Sequence, residues 1–145
     1  MFELLRFVPK AYLSFLVGVL VRIHLPRALN VRLINWFAKR YRVNLDEMAN
    51  QVEDYRCLAD FFTRDLKANA RPIGEGLVSP VDGRIDAFGC IEDGKLVQVK
   101  GKSYSMHSLL LHRELTDDFN SGFFIHIYLA PGDYHHLHSP VDGEM

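Results

Sequence analysis

The sequence predicts an α+β fold in which N-terminal amphipathic helices precede an antiparallel β-rich domain of barrel-like or sandwich-like form. Apolar residues recur at helical spacing between Pro26 and Tyr41, and beyond Leu77 the apolar period changes to two, which is typical of strands. The chain has no glycine-rich loop of the dinucleotide-binding kind. We therefore expect a helical region over residues 1–72 and the first part of a β-rich domain over residues 73–145.

Length, composition and cysteine content limit the number of domains and the kinds of stabilising site that the chain can have. With 145 residues, 48% of them hydrophobic and 24% charged, the chain fits one globular domain with a terminal extension. Cys57 and Cys90 lie far apart with no Cys-x-x-Cys spacing, which indicates neither a disulfide framework nor a zinc knuckle. A reducing, cytoplasmic setting is the default expectation.

Charge is distributed unevenly along the chain. Residues 1–44 carry eight Lys or Arg against one acid, a net +7, whereas residues 45–145 carry nine against seventeen, a net −8. The two parts therefore face different partners. Nucleic acid is disfavoured as a partner because the larger part is acidic and shows no Arg-aromatic repeat.

The first apolar run covers residues 11–21 and contains no charge. Eleven residues are fewer than the roughly 20 that span a bilayer, so we expect the run to lie in the membrane interface. A secretory signal peptide is the alternative, since Arg6 and Lys10 precede the run. Basic residues such as Arg22 follow where a small-residue cleavage site should stand, so we expect the segment to be retained.

The next helix is predicted to begin after Pro26 and to have two unlike faces. Its apolar face is predicted to carry Leu29, Leu33, Ile34, Phe37 and Tyr41, and its polar face Arg32, Asn35, Lys39 and Arg42. Such a helix can bury its apolar face at the headgroup boundary and offer cations to anionic phosphates. It can equally dock on its own domain and leave a solvated basic face.

Further elements follow in order. Short helices are predicted over residues 45–51 and 55–66, and residues 68–76 read as a linker. Strands are predicted over 78–88 and 95–99, joined by a hairpin turn at Asp93-Gly94. A short helix over 104–112 and a strand over 122–130 complete the prediction.

That last strand leads into a histidine-rich segment with His135, His136 and His138 close to Asp133. Imidazole has an unperturbed pKa near neutrality, so His135 and His138 suit proton transfer. Metal binding and a solvated loop are the alternatives.

A repeated pentapeptide connects this segment with an earlier part of the chain. Ser-Pro-Val-Asp-Gly occurs at residues 79–83 and again at 139–143. Proline fixes one backbone angle, and Asp-Gly permits a tight turn. The repeat indicates either two similar turns or a first copy that supplies the acid Asp82 to the histidines.

These motifs resemble the pyruvoyl-dependent phosphatidylserine decarboxylases. The resemblance covers nearly the whole chain and rests on the following segments: Tyr41-Arg-Val-Asn-Leu45, Phe61-Phe-Thr-Arg64, Arg71-Pro72, Ser79-Pro-Val-Asp-Gly83, Lys100-Gly-Lys-Ser-Tyr-Ser105 with Leu109-Leu110, and Tyr128-Leu-Ala-Pro-Gly-Asp-Tyr-His135 with His138 and Pro140.

The resemblance implies conversion of phosphatidylserine to phosphatidylethanolamine and CO2. In such enzymes a serine of a Gly-Ser motif attacks the preceding carbonyl, and self-cleavage leaves a pyruvoyl group whose ketone forms a Schiff base with the substrate. Carried over by motif, His138 is the base for self-cleavage, Asp82 orients it, and His135 assists decarboxylation or reprotonation. The family motif varies at His136, which receives no role, and no metal is implied.

No Gly-Ser dipeptide occurs in the 145 residues. We therefore expect the front part of a proenzyme, inactive alone, whose pyruvoyl group forms on a C-terminal remainder or small subunit. An incompletely buried sheet would leave an edge open to that partner or to a homodimer. The expected location is peripheral, on the cytoplasmic face of a phospholipid membrane.

Two other function classes remain open at this point. A metal-dependent hydrolase would use Asp82, Asp133, His135 and His138 as ligands, although no His-Glu-x-x-His spacing supports it. A non-catalytic membrane-surface binding module would need only the basic front end.

Overall fold

The computed structural model describes residues 10–91, 94–99, 102–110, 118–119 and 121–143. The chain divides into two compact units, one formed by residues 1–80 with 131–145 and the other by residues 81–130. The elements are, in order, α1 (Lys10–Leu20), α2 (Arg27–Tyr41), a 3-10 turn (Val52–Asp54), α3 (Leu58–Phe62), β1 (Arg84–Cys90), β2 (Lys95–Val99), β3 (Lys102–Ser105), α4 (Met106–Leu109) and β4 (Phe123–Tyr128). The predicted α+β class is confirmed. The division of the sequence at residue 72 stays a prediction.

Helix α2 begins directly after Pro26, whose fixed φ suits the position before a first helical turn. It ends at Tyr41, and the next residue, Arg42, adopts a left-handed conformation (φ 56°) and donates its backbone N–H to the Ala38 carbonyl. The predicted basic residues Arg32, Lys39 and Arg42 are exposed, as expected of the polar face.

The buried side of α2 is shifted by about one residue from the prediction. Its buried residues are Asn30, Ile34, Phe37 and Ala38, whereas Leu29, predicted to lie on the apolar face, is half exposed. A polar side chain can occupy this face because Asn30 Nδ2 donates a hydrogen bond of 2.7 Å to the Tyr55 carbonyl.

The core of the first unit joins α2 to α3. It contains Ile34, Phe37, Ala38, Val43, Met48 and Phe61. Phe61 is completely buried and makes edge-to-face contacts with Phe37 (centroids 6.1 Å apart) and Tyr55 (5.5 Å). Such aromatic pairs add stabilisation beyond the area that they bury.

Two helix predictions around this core need correction. Residues 45–51 form turns rather than a helix, because Met48 and Leu66 form an antiparallel bridge that draws the backbone out of helical geometry. The Ala49 N–H donates to the Asp65 carbonyl and the Lys67 N–H to the Glu47 carbonyl. The same pairing limits the helix predicted over 55–66 to α3.

The strands of the second unit pair differently from the prediction. β1 pairs antiparallel with β4, with Arg84 opposite Tyr128 and Cys90 opposite Phe123, and β2 pairs with β3. Among the described residues β1 and β2 are not paired with each other, and the turn of the predicted hairpin includes Asp93, which lies outside the described residues. These strands form two separate two-stranded sheets, so neither a barrel nor a sandwich is confirmed.

Element boundaries also differ in this unit. The first strand begins at Arg84 rather than at residue 78, because Val78 and Pro80 are hydrogen bonded to the C-terminal segment. Tyr104 belongs to β3, so the helix predicted over 104–112 is shortened to α4. At the start of α4, the Ser105 side chain accepts a hydrogen bond from the Ser108 N–H. Residues 111 and 112 lie outside the described part. The strand predicted over 122–130 is confirmed as β4.

The core assignment predicts the outcome of one matched pair of substitutions. Ile34→Ala removes a fully buried side chain and should lower the free energy of unfolding by about 2–5 kcal/mol. Ile73→Ala makes the same change at a side chain that is 86% exposed and should cost less than about 0.5 kcal/mol. Urea unfolding followed by circular dichroism measures both; equal losses would contradict this core.

Candidate active site

The histidine segment, residues 131–140, belongs to the first unit and is anchored on its helices. Gly132 lies so close to the end of α2 that a Cβ atom there would collide with the Tyr41 carbonyl oxygen. From the segment that follows α3, Arg64 Nη2 donates to the carbonyls of Gly132 (2.7 Å) and Asp133 (3.2 Å). The turn before the histidines is therefore held from two sides.

His135 is half-buried and has a defined tautomer. Its Nδ1 lies 2.9 Å from the Asp133 carbonyl oxygen, which can only accept, so Nδ1 carries the proton in this contact. The ring packs on Phe62 of α3, with centroids 4.0 Å apart. In the neutral ring Nε2 then keeps its lone pair and can accept a proton.

His136 has the opposite tautomer. Its Nε2 lies 3.0 Å from the Thr63 carbonyl oxygen, so Nε2 carries the proton. The ring stacks on Tyr134 with centroids 4.8 Å apart and planes 8° apart, and Nε2 is 3.8 Å from the Asp65 carboxylate. His136 received no role from the sequence; the structure gives it these packing and hydrogen-bonding contacts.

His138 is exposed, and its backbone is better fixed than its ring. The ring stacks loosely on Tyr134, with centroids 5.7 Å apart. The His138 N–H donates to the Pro80 carbonyl at 2.9 Å. The Val78 N–H donates to the Pro140 carbonyl, also at 2.9 Å.

These two hydrogen bonds are equivalent, and they explain the repeat. In each bond, the residue just before one Ser-Pro-Val-Asp-Gly copy donates to the proline carbonyl of the other copy. Proline has no N–H but keeps its carbonyl as an acceptor. The two copies therefore pair with each other, which neither sequence interpretation predicted; the identical pentapeptides were the only signal.

Asp82 lies in the second unit and is half-buried. The residue after it, Gly83, is fixed by close packing: a Cβ there would lie 2.7 Å from the Ile127 side chain and 2.7 Å from the Tyr128 carbonyl oxygen. In the second copy, Gly143 has nothing within 4 Å of the corresponding position. Close packing therefore leaves no room for a side chain at Gly83, whereas there is room for one at Gly143.

Displaced pKa values occur near α3. Burial raises the pKa of the Tyr55 phenol above its ordinary value. On the solvent side, the hydrogen bond from Arg56 lowers the pKa of the Asp60 carboxyl. This exposed ion pair, 2.8 Å long, contributes little to stability.

Within the described ranges, no three His, Cys, Asp or Glu side chains come together in a way that could hold a metal ion. Among the described helices, none has the length and apolar character needed to cross a membrane. Of the histidines in the segment, His136 and His138 stack on Tyr134, whereas His135 packs on Phe62.

Comparison with known proteins assigns the family. The family model described as phosphatidylserine decarboxylase matches residues 58–145, more than half of the chain. The chain belongs to the phosphatidylserine decarboxylase family. The match includes all three predicted site residues, Asp82, His135 and His138.

Individual relatives agree with this assignment over a longer range. Proteins named phosphatidylserine decarboxylase proenzyme are 38% identical in Myxococcus xanthus, 45% in Hahella chejuensis and 40% in Vibrio cholerae. The alignments cover 99%, 94% and 95% of this chain but 52%, 48% and 50% of the relatives. The chain thus spans about half the length of the curated relatives it matches. Because these relatives are all decarboxylase proenzymes, the alternative of a metal-dependent hydrolase is not favoured.

The unlike surroundings of the two motif glycines lead to a prediction. Gly83→Ala should destabilise the protein by about 1–3 kcal/mol, because the new methyl group overlaps the end of β4. Gly143→Ala, the same change at the same motif position, should leave the free energy of unfolding nearly unchanged. Thermal unfolding measures both, and an equal effect of the two would be evidence against the packing of Gly83.

Proposed function

We propose that this chain is part of an enzyme that converts phosphatidylserine to phosphatidylethanolamine and CO2. Family membership supports the reaction class. The observation that carries the proposal is the anchored histidine segment, in which the Asp133 carbonyl leaves His135 Nε2 with its lone pair. Proton transfer at that nitrogen suits the reprotonation that must follow loss of CO2.

We propose a pyruvoyl group, formed on a serine outside these 145 residues, as the cofactor. When bound, it supplies the electron sink that ordinary side chains lack. The side chains present fit this group, because His135 and His138 are imidazoles that can exchange protons without a metal. Their contribution is to orient the headgroup and to hold or move protons at ring nitrogens.

Self-cleavage needs a base, and His138 is our candidate. Its exposed ring is accessible, while its backbone is fixed by the bond from its N–H to the Pro80 carbonyl. His138 would take the proton of the serine hydroxyl as the serine attacks the preceding carbonyl, and Asp82 would orient the imidazole. Asp82 follows Pro80 by two residues along the chain, and the adjacent Gly83 fixes its backbone.

We propose a peripheral membrane location on the cytoplasmic face; the surface of α1 supports the contact with a membrane. This helix is apolar around its circumference, and Tyr12 and Phe15 are more than 70% exposed. Exposed cations of α2, among them Arg32 and Lys39, would meet anionic phosphates. Residues 1–72 would thus bring the enzyme to its lipid substrate, while residues 73–145 begin the β-rich domain.

The proposed protein partner is the remainder of the decarboxylase, as a C-terminal region or a small pyruvoyl subunit. The proposal is supported by one face of the β1–β4 sheet, where the paired residues Phe88 and Ile125 are at least half exposed. Phe123 and Cys90 form the next pair on this face and are also exposed. Covering this face would complete a barrel or sandwich; a homodimer is the alternative occupant.

The assigned roles predict a separation of two activities in the protein isolated from its source with any accompanying chain. His138→Ala and Asp82→Asn should leave an uncleaved proenzyme. His135→Ala should permit cleavage but lower the release of labelled CO2 from phosphatidylserine by about 100-fold or more. His107→Ala, at an exposed histidine of α4, is the control and should behave as wild type.

Gel analysis of cleavage and scintillation counting of CO2 provide the two measurements. Normal cleavage in His138→Ala would refute its role as base. Full CO2 release in His135→Ala would refute the role of that ring.

The membrane proposal predicts a local loss of lipid binding. Phe15→Glu should weaken partition into anionic phosphatidylserine vesicles about tenfold or more, since a buried aromatic side chain contributes about 1.5–3 kcal/mol. Ile73→Glu introduces the same charge at an exposed apolar residue outside α1 and should have little effect. Vesicle sedimentation checks this; equal binding by the two variants would contradict insertion of α1.

A further inference from the structure

Arg64 is a buried cation at the base of the histidine segment. Arg64 is only 4% exposed, and its guanidinium carbon lies 5.5 Å from the centre of the Phe61 ring. Burying a charge is unfavourable unless hydrogen bonds and charge interactions compensate for lost hydration. A cation in this position therefore calls for an explanation beyond packing.

The acceptors of Arg64 are far away in sequence. Its Nη2 donates to the carbonyls of Gly132 and Asp133, which follow it by 68 and 69 residues. Arg64 follows the core residue Phe61 by three residues, so its position is fixed relative to the core of the first unit. The turn before His135 is thus located relative to the core.

The Asp133 carbonyl connects Arg64 to His135. This oxygen has two lone pairs and accepts from both Arg64 Nη2 (3.2 Å) and His135 Nδ1 (2.9 Å). A carbonyl can only accept, so its position selects the tautomer of the imidazole that reaches it. If the carbonyl moved, His135 would lose the partner that keeps its proton on Nδ1.

We propose that Arg64 is a positioning residue that sets the tautomer of His135 through the Asp133 carbonyl. The significance for catalysis rests on the proposed function, because His135 Nε2 is the nitrogen assigned to proton transfer there. The tautomer itself does not depend on that function and can be measured in the 145-residue chain.

Arginine is better suited than lysine to this position. The planar guanidinium holds its donors in a fixed fork, and one of its nitrogens reaches both carbonyls. A lysine ammonium is a flexible point charge that requires stronger hydration. Arg64→Lys should therefore retain the charge without retaining the position of the turn.

The test is a nitrogen NMR spectrum of the histidine rings at about pH 8.5, above the ordinary imidazole pKa of about 6.5. With ¹⁵N-labelled histidine, long-range proton–nitrogen correlations show which ring nitrogen carries hydrogen. Wild type should show His135 as the Nδ1–H form and His136 as the Nε2–H form. The neighbouring His136 is an internal reference because its tautomer depends on Thr63.

In Arg64→Met and Arg64→Lys, the Nδ1–H signal of His135 should lose its dominance while His136 stays Nε2–H. Arg56→Met, the same change at an exposed arginine paired with Asp60, should alter neither ring. Should Arg64→Met fail to fold, the charge-preserving Arg64→Lys decides the question.

Two outcomes would overturn the proposal: an unchanged His135 tautomer in a folded Arg64 variant, or loss of both tautomers together, which would mean general detachment of the segment. A changed tautomer with unchanged CO2 release from the assembled protein would support the positioning role and refute the proton-transfer role of His135. The two proposals therefore fail separately.

Discussion

The anchoring of the histidine segment to the helical core is the interaction on which the candidate site depends. One contact is steric, since Gly132 allows the turn to approach the Tyr41 carbonyl at the end of α2. The other is polar, since buried Arg64 donates to the carbonyls of Gly132 and Asp133. The α2–α3 core is therefore a part of the site, because it determines where the imidazoles lie.

The surroundings of the histidines show how backbone groups can differentiate similar side chains. His135 and His136 are neighbours, but the Asp133 and Thr63 carbonyls select opposite tautomers. His138 is fixed mainly through its N–H, in the paired repeat. His135 and His136 thus acquire different proton positions and His138 has a looser ring contact, which suits the separate roles proposed for His135 and His138.

Local patterns predicted much of the fold and the long-range contacts were missed. The apolar period predicted α2 and the alternation predicted β4, because both signals are contained within one element. The helix predicted over 45–51 was wrong because the Met48–Leu66 bridge joins distant residues, and the β1–β4 pairing was not predicted for the same reason. The sequence also identified the histidine segment and the family. It did not show that the repeated pentapeptides pair or that Arg64 holds the turn, since both depend on tertiary position.

The proposed function requires that these residues supply the proton-transfer groups of a decarboxylase whose electron sink is formed elsewhere. Its most direct test is the intact mass of the protein isolated from its source membranes under conditions that preserve any accompanying chain. We expect a larger proenzyme or a second chain beginning with a pyruvoyl group. A lone 16.7 kDa species, with no pyruvoyl-bearing partner, would contradict it.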